Sequence, residues 1–376
     1  MQLLIVPDSF KESLSAIEVA SAIEKGLRRV NKDLNIKCLP ISDGGEGALT
    51  VLKEHTKGNL ISCATVNPIG QAINADYFLF EDQSTAWIEL SQASGLALLE
   101  TRDRKPSITS TFGTGIQIKH AIEQGCSKII LGIGGSATND AGAGIFQALG
   151  GRLLDKTGKD LEKGGAALAA LDKIILPKGL DNIQWEVACD VSNPLLGPEG
   201  ASSIYAPQKG ATPDEVKILD ASLAHFAKCV KKQFNHTIDK IPGGGAAGGT
   251  AAGMFAFFNA QLTPGFNLMA QLLDLEKQIQ KATLVFTAEG KIDAQSLQGK
   301  VPVGVARLAQ KNNTPCIGLM GAIEGSITPL YQEGFSGIFS IQNGPMSLET
   351  SKTNAAHLLE ETAQRVFAFH QNIQTL

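Results

Sequence analysis

Short apolar runs of strand length each give way to a loop of glycine and charged residues, and then to a segment with helical spacing. This alternation limits the fold more than any other feature of the chain. Leu3–Val6 leads through Pro7–Ser15 into Ala16–Arg29. Lys128–Ile133 leads through Gly134–Asn139 into a small-residue helix ending at Leu149. Thr283–Thr287 leads through Ala288–Lys300 into a helix over Val303–Gln310, and a further strand follows at Pro315–Met320. Strands alternating with helices predict a parallel sheet covered on both faces. In such sheets ligands gather at the carboxyl ends of the strands, where all three loops belong.

Two stretches read differently. Residues 61–106 alternate like antiparallel strands, at Ala75–Phe80 and Thr85–Leu90, and residues 151–281 mix short strands, turns and helices. A chain of 376 residues exceeds the usual size of one core. The expectation is therefore an α/β protein of two domains. Residues 1–60, 107–150 and 282–376 form a parallel-sheet domain, residues 61–106 and 151–281 form an inserted mixed α/β domain, and the cleft between them is the site.

The 43% apolar and 19% charged fractions fit a globular protein, and a net charge of −4 gives no cationic footprint for nucleic acid. A small-molecule partner is expected instead. The six cysteines show no Cys-x-x-Cys pair and read as reduced core residues. Leu3–Val6 meets Pro7 and Asp8 at once and reads as a strand, not a signal sequence. The apolar stretch at Ala251–Phe258 is too short to span a bilayer, so a cytoplasmic location with no membrane association is expected.

The loops point to anion chemistry. Six glycines stand at 243, 244, 245, 248, 249 and 253, and glycine lets a backbone approach an anion closely. Gly132-x-Gly134-x-x-Ala137 fits the dinucleotide fingerprint, but Ser136, Thr138, Asn139 and Asp140 continue it with groups that suit phosphate and magnesium. The P-loop pattern fails, since Gly299-Lys300 is followed by Val301. In Pro7-Asp8-Ser9-Phe10-Lys11, capping explains the serines nearby, whereas a lysine in a first helical turn opposes the dipole unless an anion sits there. Asp43-Gly44-Gly45-Glu46-Gly47 interleaves acids with glycines in a loop able to wrap a hydrated cation. Asp190 ends a strand beside Ser192 and Asn193, and Glu289, Lys291, Asp293 and Ser296 crowd the loop expected after Thr287. All six histidines fall outside these loops, which disfavours a histidine triad or metal site.

Taken together, Pro7-Asp8-Ser9-Phe10-Lys11, Ser42–Gly47, Gly132–Asp140, Pro242–Gly245 and Glu289-Gly290-Lys291-Ile292-Asp293 resemble the type I glycerate kinase family over essentially the whole chain. The resemblance implies phosphoryl transfer from ATP to D-glycerate with magnesium, at the 2-hydroxyl, by two α/β domains of which one is Rossmann-like. On that reading the amides of Gly134, Gly135 and Ser136 and of Gly243, Gly244 and Gly245, with Thr138 and Asn139, hold ATP. Asp43, Glu46 or Glu289 bind magnesium, and Asp8, Ser9, Lys11 and Lys291 meet the substrate. Asp293 or Asp190 accepts the hydroxyl proton. Thr287-Ala288-Glu289-Gly290-Lys291 departs from the Thr-Gly-Glu-Gly-Arg expected of the family, and lysine lacks the planar fork of arginine. The rival readings are an NAD-dependent hydroxy-acid dehydrogenase and a non-catalytic organic-acid binder.

Overall fold

The structure is a computed structural model, and it describes residues 2–42, 44, 45, 47–293, 296 and 300–374. Its strands in chain order are β1 (Gln2–Ile5), β2 (Asn35–Cys38), β3 (Gly58–Val66), β4 (Ala72–Phe80), β5 (Thr85–Glu89), β6 (Lys128–Gly132), β7 (Arg152–Leu154), β8 (Lys173–Ile175), β9 (Gln184–Ala188), β10 (Gln261–Thr263), β11 (Leu284–Ile292), β12 (Cys316–Ile323) and β13 (Phe335–Ser340). The chain divides into two compact units, Met1–Asp43 with Phe266–Leu376, and the inserted stretch Gly44–Gly265.

The first unit is built on a five-stranded sheet in the order β13-β12-β11-β1-β2, with every neighbouring pair parallel. Strand order reverses between β1 and β11, so this unit has a topological switch point of the doubly wound kind. The helix Ala16–Val30 buries Val19, Ala20, Ile23 and Leu27 at helical spacing, starts at a Ser15/Glu18 capping box, and packs against the helix Ala355–Gln374. Leu3, Ile5, Leu284, Phe286, Leu359 and Phe367 join that face in one core.

The second unit carries a six-stranded sheet in the order β10-β9-β6-β5-β4-β3, together with a separate antiparallel pair, β7 and β8. The strands β10, β9, β6 and β5 run parallel, β4 pairs antiparallel with β5, and β3 pairs antiparallel with β4, in keeping with the alternation in residues 61–106. Its core includes Tyr77, Ile88, Ile129, Leu131 and Val187.

This division differs from the expected one. Residues 107–150 belong to the second unit, because β6 pairs with β5 and β9, and not with the sheet of β1. Residues 44–60 also lie in the second unit, and residues 266–281 in the first. The physical reason is that a buried parallel strand reads as the same short apolar run whichever sheet it enters.

The two long helices of the first unit approach closely at Gly26, where an added Cβ would lie 2.1 Å from the Glu360 carbonyl oxygen. Gly26→Ala should destabilise the protein by about 1–3 kcal/mol through overpacking. Gly344→Ala, which meets nothing within 4 Å, should change urea unfolding little. Equal midpoints for the two variants would show that the helices can separate without cost.

Candidate functional site

At the switch point of the first unit, the loop after β1 lies beside β11. Asp8 is buried, its backbone N–H donates to the Ala288 oxygen at 2.9 Å, and its Oδ1 accepts from the Ser9 N–H at 2.6 Å. A Cβ on Gly290 would come within 3.4 Å of Phe10 Cα and 3.8 Å of Lys11 N. Lys11 is exposed, and the helix begins at Ala16 with Ser15 as its cap. Lys11 therefore lies before the first turn, contrary to expectation, and the helix dipole does not oppose its charge there.

Glu289, Gly290 and Lys291 are not in a loop. They belong to β11, which stays paired with β12 through Glu289↔Met320 and Ile292↔Ile323. The strand pleat sends Ala288 and Ile292 into the core and turns Glu289 and Lys291 to the other face. Lys291 Nζ lies 2.7 Å from Glu324 and 3.5 Å from Asp293. Lys300 Nζ lies 3.0 Å from Glu289 and donates to the Lys291 carbonyl at 3.3 Å. Asp293 accepts from the Ser296 N–H and hydroxyl at 3.1 and 3.2 Å. Burial pushes Asp293 up, but Lys300, Ser296 and Lys291 outweigh it and hold the carboxyl below the usual aspartate range. The bond to Glu324 raises Lys291. Lys300 is a member of this cluster that motif matching missed. The signal was a lysine capping a helix whose start is marked by Pro302.

In the second unit the polar groups collect at the carboxyl ends of β5, β6, β9 and β10. Gly134 and Gly135 form a turn after β6, with Gly135 at φ +68° and exposed. Leu96 N–H donates to the Gly135 oxygen and Ala137 N–H to the Ser94 oxygen. Among the described residues, the amides of Gly134, Gly135 and Ser136 donate to no backbone carbonyl. The block does not open a helix as expected. The next helix starts at Ala143 and is 6 residues long, so neither the dinucleotide fingerprint nor a helix dipole applies here.

Thr138, Asn139 and Asp140 are fully buried. Asn139 Nδ2 donates to Ser202 Oγ at 3.0 Å. Asp140 accepts from the Thr111 N–H at 2.8 Å and hydroxyl at 2.9 Å, and from the amides of Gly142 and Gly144 at 3.2 Å. Burial nonetheless holds its carboxyl above the usual range. Thr138 Oγ1 and Asn139 Oδ1 are buried and have no hydrogen-bond partner among the described residues. Gln208-Lys209-Gly210 stands out in the sequence as polar residues following Asp190, but its lysine belongs with the turn after β6. Lys209 is 2% exposed, and its Nζ donates to Ser136 Oγ at 2.6 Å and the Thr138 oxygen at 2.7 Å. Burial pushes it down to about 7, with Asp140 opposing.

The glycine cluster has a different task from the one expected. Gly244 N–H donates to Ile241 O and Gly245 N–H to Asn193 O, both at 2.9 Å, so these two amides are committed inward. An added Cβ would lie 2.8 Å from Cys189 Sγ at Gly243, 2.2 Å from Pro194 O at Gly245, 2.1 Å from Thr138 O at Gly248 and 1.7 Å from Ala141 O at Gly253. The glycines let the kinked helix Ala246–Phe258 lie against the loops that follow β6 and β9.

Asp190 Oδ1 accepts from the Gly265 N–H at 3.0 Å and so ties the end of β9 to the end of β10. Asp43 and Glu46 lie outside the described residues. Gly44 sits over the same strand ends, its Cβ position 2.9 Å from Ala188 Cβ and 3.1 Å from Gly265 Cα. Glu89, the last residue of β5, is buried and accepts from the Leu49 N–H at 2.8 Å, at the start of the helix Ala48–His55. Among the described residues no group of three or more His, Cys, Asp or Glu side chains is arranged to hold a metal. Of the carboxylates expected to bind magnesium, only Glu289 is described, and it is paired with Lys300. The described residues by themselves do not form a cation site.

The sequence profile of the glycerate kinase family matches residues 3–371. The chain belongs to the glycerate kinase family. It is accordingly a phosphotransferase. It is 43% identical over 371 residues to the glycerate kinase of Bacillus subtilis (strain 168), covering 98% of this chain and 97% of that one. It is 44% identical over 345 residues to the glycerate 2-kinase of Escherichia coli (strain K12), covering 91% and 90%. A crystal structure named as a glycerate kinase 2 from Salmonella typhimurium LT2 aligns over 100% of both chains, with a TM-score of 0.86 and 43% identity.

Burial, against bonds from Leu49, Gln92, Ser91 and Gly47, raises the Glu89 carboxyl. A raised folded value means that the native state binds the proton more tightly than the unfolded chain. Stability is then lost as pH rises from the unfolded value through the folded one. Glu89→Gln removes that loss, so as pH rises above the unfolded glutamate value of 4.5 wild type should lose stability relative to the variant. Parallel curves in denaturant melts would contradict this.

Proposed function

We propose that the chain transfers the γ-phosphoryl group of ATP to the 2-hydroxyl of D-glycerate, giving 2-phosphoglycerate and ADP. The observation that carries this reading is the family match over residues 3–371. The choice of the 2-hydroxyl is supported by the name of the Escherichia coli relative, a glycerate 2-kinase.

In this reading the amides of the Gly134–Ser136 turn, which donate to no backbone carbonyl among the described residues, take phosphate oxygens. The glycine cluster, with Gly244 and Gly245 committed, supports that turn by close packing. Lys11 and Lys291, with Asp8 and Ser9 alongside, meet the glycerate carboxylate or the transferred group. In the transfer, the bond from the γ-phosphorus to its bridging oxygen breaks and one to the glycerate oxygen forms, while the hydroxyl proton passes to a carboxylate. Asp293 is favoured for that proton, because Lys291 and Lys300 beside it would also hold an anionic acceptor. Asp190 is the alternative, although its Oδ1 is engaged with Gly265. Magnesium, carried in with ATP, would screen phosphate charge, with Asp43, Glu46 and Glu289 as its proposed protein ligands.

Incubation with ATP, magnesium and D-glycerate should release ADP, and phosphorus NMR should show a 2-phosphate ester. No ADP would refute the reading, and a 3-phosphate would refute the regiochemistry. Asp293→Asn should lower kcat by about 10²–10⁴-fold, whereas Asp190→Asn should change it little. Near wild-type turnover in both variants would exclude an aspartate base. Lys291→Arg, which restores a planar fork, should lower KM for the ligand it contacts. Unchanged KM for both substrates would remove Lys291 from the site.

A further inference from the structure

We propose that Lys209 supplies the positive charge of the Gly134–Ser136 anion site and acts on the ligand through the Ser136 hydroxyl. The inference rests on the reading above that this turn holds phosphate. Neither the turn nor the glycine cluster contains a charged residue of its own. The fold brings one in from below. Residues Pro207–Lys209 form a single tight turn closed by Gly210 at φ +95°, where a Cβ would lie 2.2 Å from the Arg104 carbonyl oxygen. That close approach fixes the backbone and directs the lysine inward.

An ammonium has three donors. Two of them are used, by Ser136 Oγ and the Thr138 carbonyl, and the third has no acceptor among the described residues. Among the described residues Lys209 bonds only Ser136 and Thr138, and Asp140, whose charge reaches it, is occupied by Thr111 and the Gly142 and Gly144 amides. Burying a cation with no counter-ion in contact costs several kcal/mol, about what a structural role alone would not return. The same burial pushes Lys209 down to about 7, so the free site holds the ammonium only in part and a bound anion draws it back to the charged form.

The geometry also shows how the charge reaches the surface. Ser136 Oγ uses a lone pair to accept from Lys209, so its own O–H remains to donate. Ser136 stands next to exposed Gly135. The amides of Gly134, Gly135 and Ser136, free of backbone carbonyls among the described residues, complete a set made only of donors. Such a set is satisfied by an anion and by little else. Lys209 is thus a positioning and charge-supplying residue that never needs to touch the ligand.

The test uses ADP as probe, by calorimetry, together with substrate kinetics. Lys209→Met should weaken ADP at least about tenfold, the loss expected for one charge-assisted hydrogen bond. KM for ATP should rise with it, while KM for glycerate should move less than about twofold, a split that general unfolding would not give. Ser136→Ala should also weaken ADP, and in the Lys209→Met background it should add little, because the lysine acts through that hydroxyl. Wild-type ADP affinity in folded Lys209→Met, or full additivity of the two substitutions, overturns the proposal. If Lys209→Met fails to fold, Ser136→Ala decides alone, and unchanged ADP affinity overturns it. Gly135→Asp places a carboxylate on the turn in a conformation aspartate tolerates. Unchanged ADP affinity there refutes the underlying reading of the turn, whereas weakening there without any effect of Lys209→Met refutes only the role of Lys209.

Discussion

The parallel pairing of β1 with β11 is the constraint on which the first unit depends. It sets Leu3 beside Leu284 and Ile5 beside Phe286, and the Thr287 hydroxyl closes onto the Val6 carbonyl at 2.8 Å. Residues 281 positions apart in sequence are thereby neighbours. Nothing local favours this contact, and its loop-closure entropy must be met before it gains anything. Once formed, it reverses the strand order and creates the switch point. It also lays Asp8 and Lys11 beside the strand that carries Glu289, Gly290 and Lys291. The insertion Gly44–Gly265 is a consequence, since the whole second unit is looped out between the two halves of this sheet.

The second unit solves a different problem. Its parallel strand ends gather Glu89, the Gly134–Ser136 turn and Asp190, and two of these carboxylates serve as ties within the unit. Glu89 holds the start of the helix Ala48–His55, and Asp190 holds the backbone at Gly265. The glycine cluster allows loop backbones to approach more closely than any side chain would permit, as at Gly253 against Ala141. The cost of burying Lys209 and Asp140 beneath the same turn is the electrostatic counterpart of that packing.

Much of the architecture was legible. The β1 loop, a serine cap on the first helix, the antiparallel β4 and the alternation of strands and helices all follow from local pattern, although Ser13 and Ser15 look equally suited to the cap that Ser15 makes. The partition between units was less legible, because β6 and β1 carry the same apolar signature. The site was legible in part. Lys291 and Asp293 do cluster as expected, but Glu289 and Lys291 lie in a strand, and Lys11 lies outside any helix. Lys209 and Lys300 are visible in the sequence, but their partners are not, because Ser136 and Glu289 stand well away along the chain.

The sequence by itself determined the class of fold, the family and the loops that carry polar chemistry, since periodicity, turn residues and ordered motifs are local properties. Tertiary structure alone decided which sheet β6 joins, which glycine amides are engaged by backbone carbonyls, and which lysine bonds Ser136 in the Gly134–Ser136 turn. Those outcomes depend on long-range strand pairing and on burial, where desolvation and close backbone packing select among partners that look equivalent along the chain.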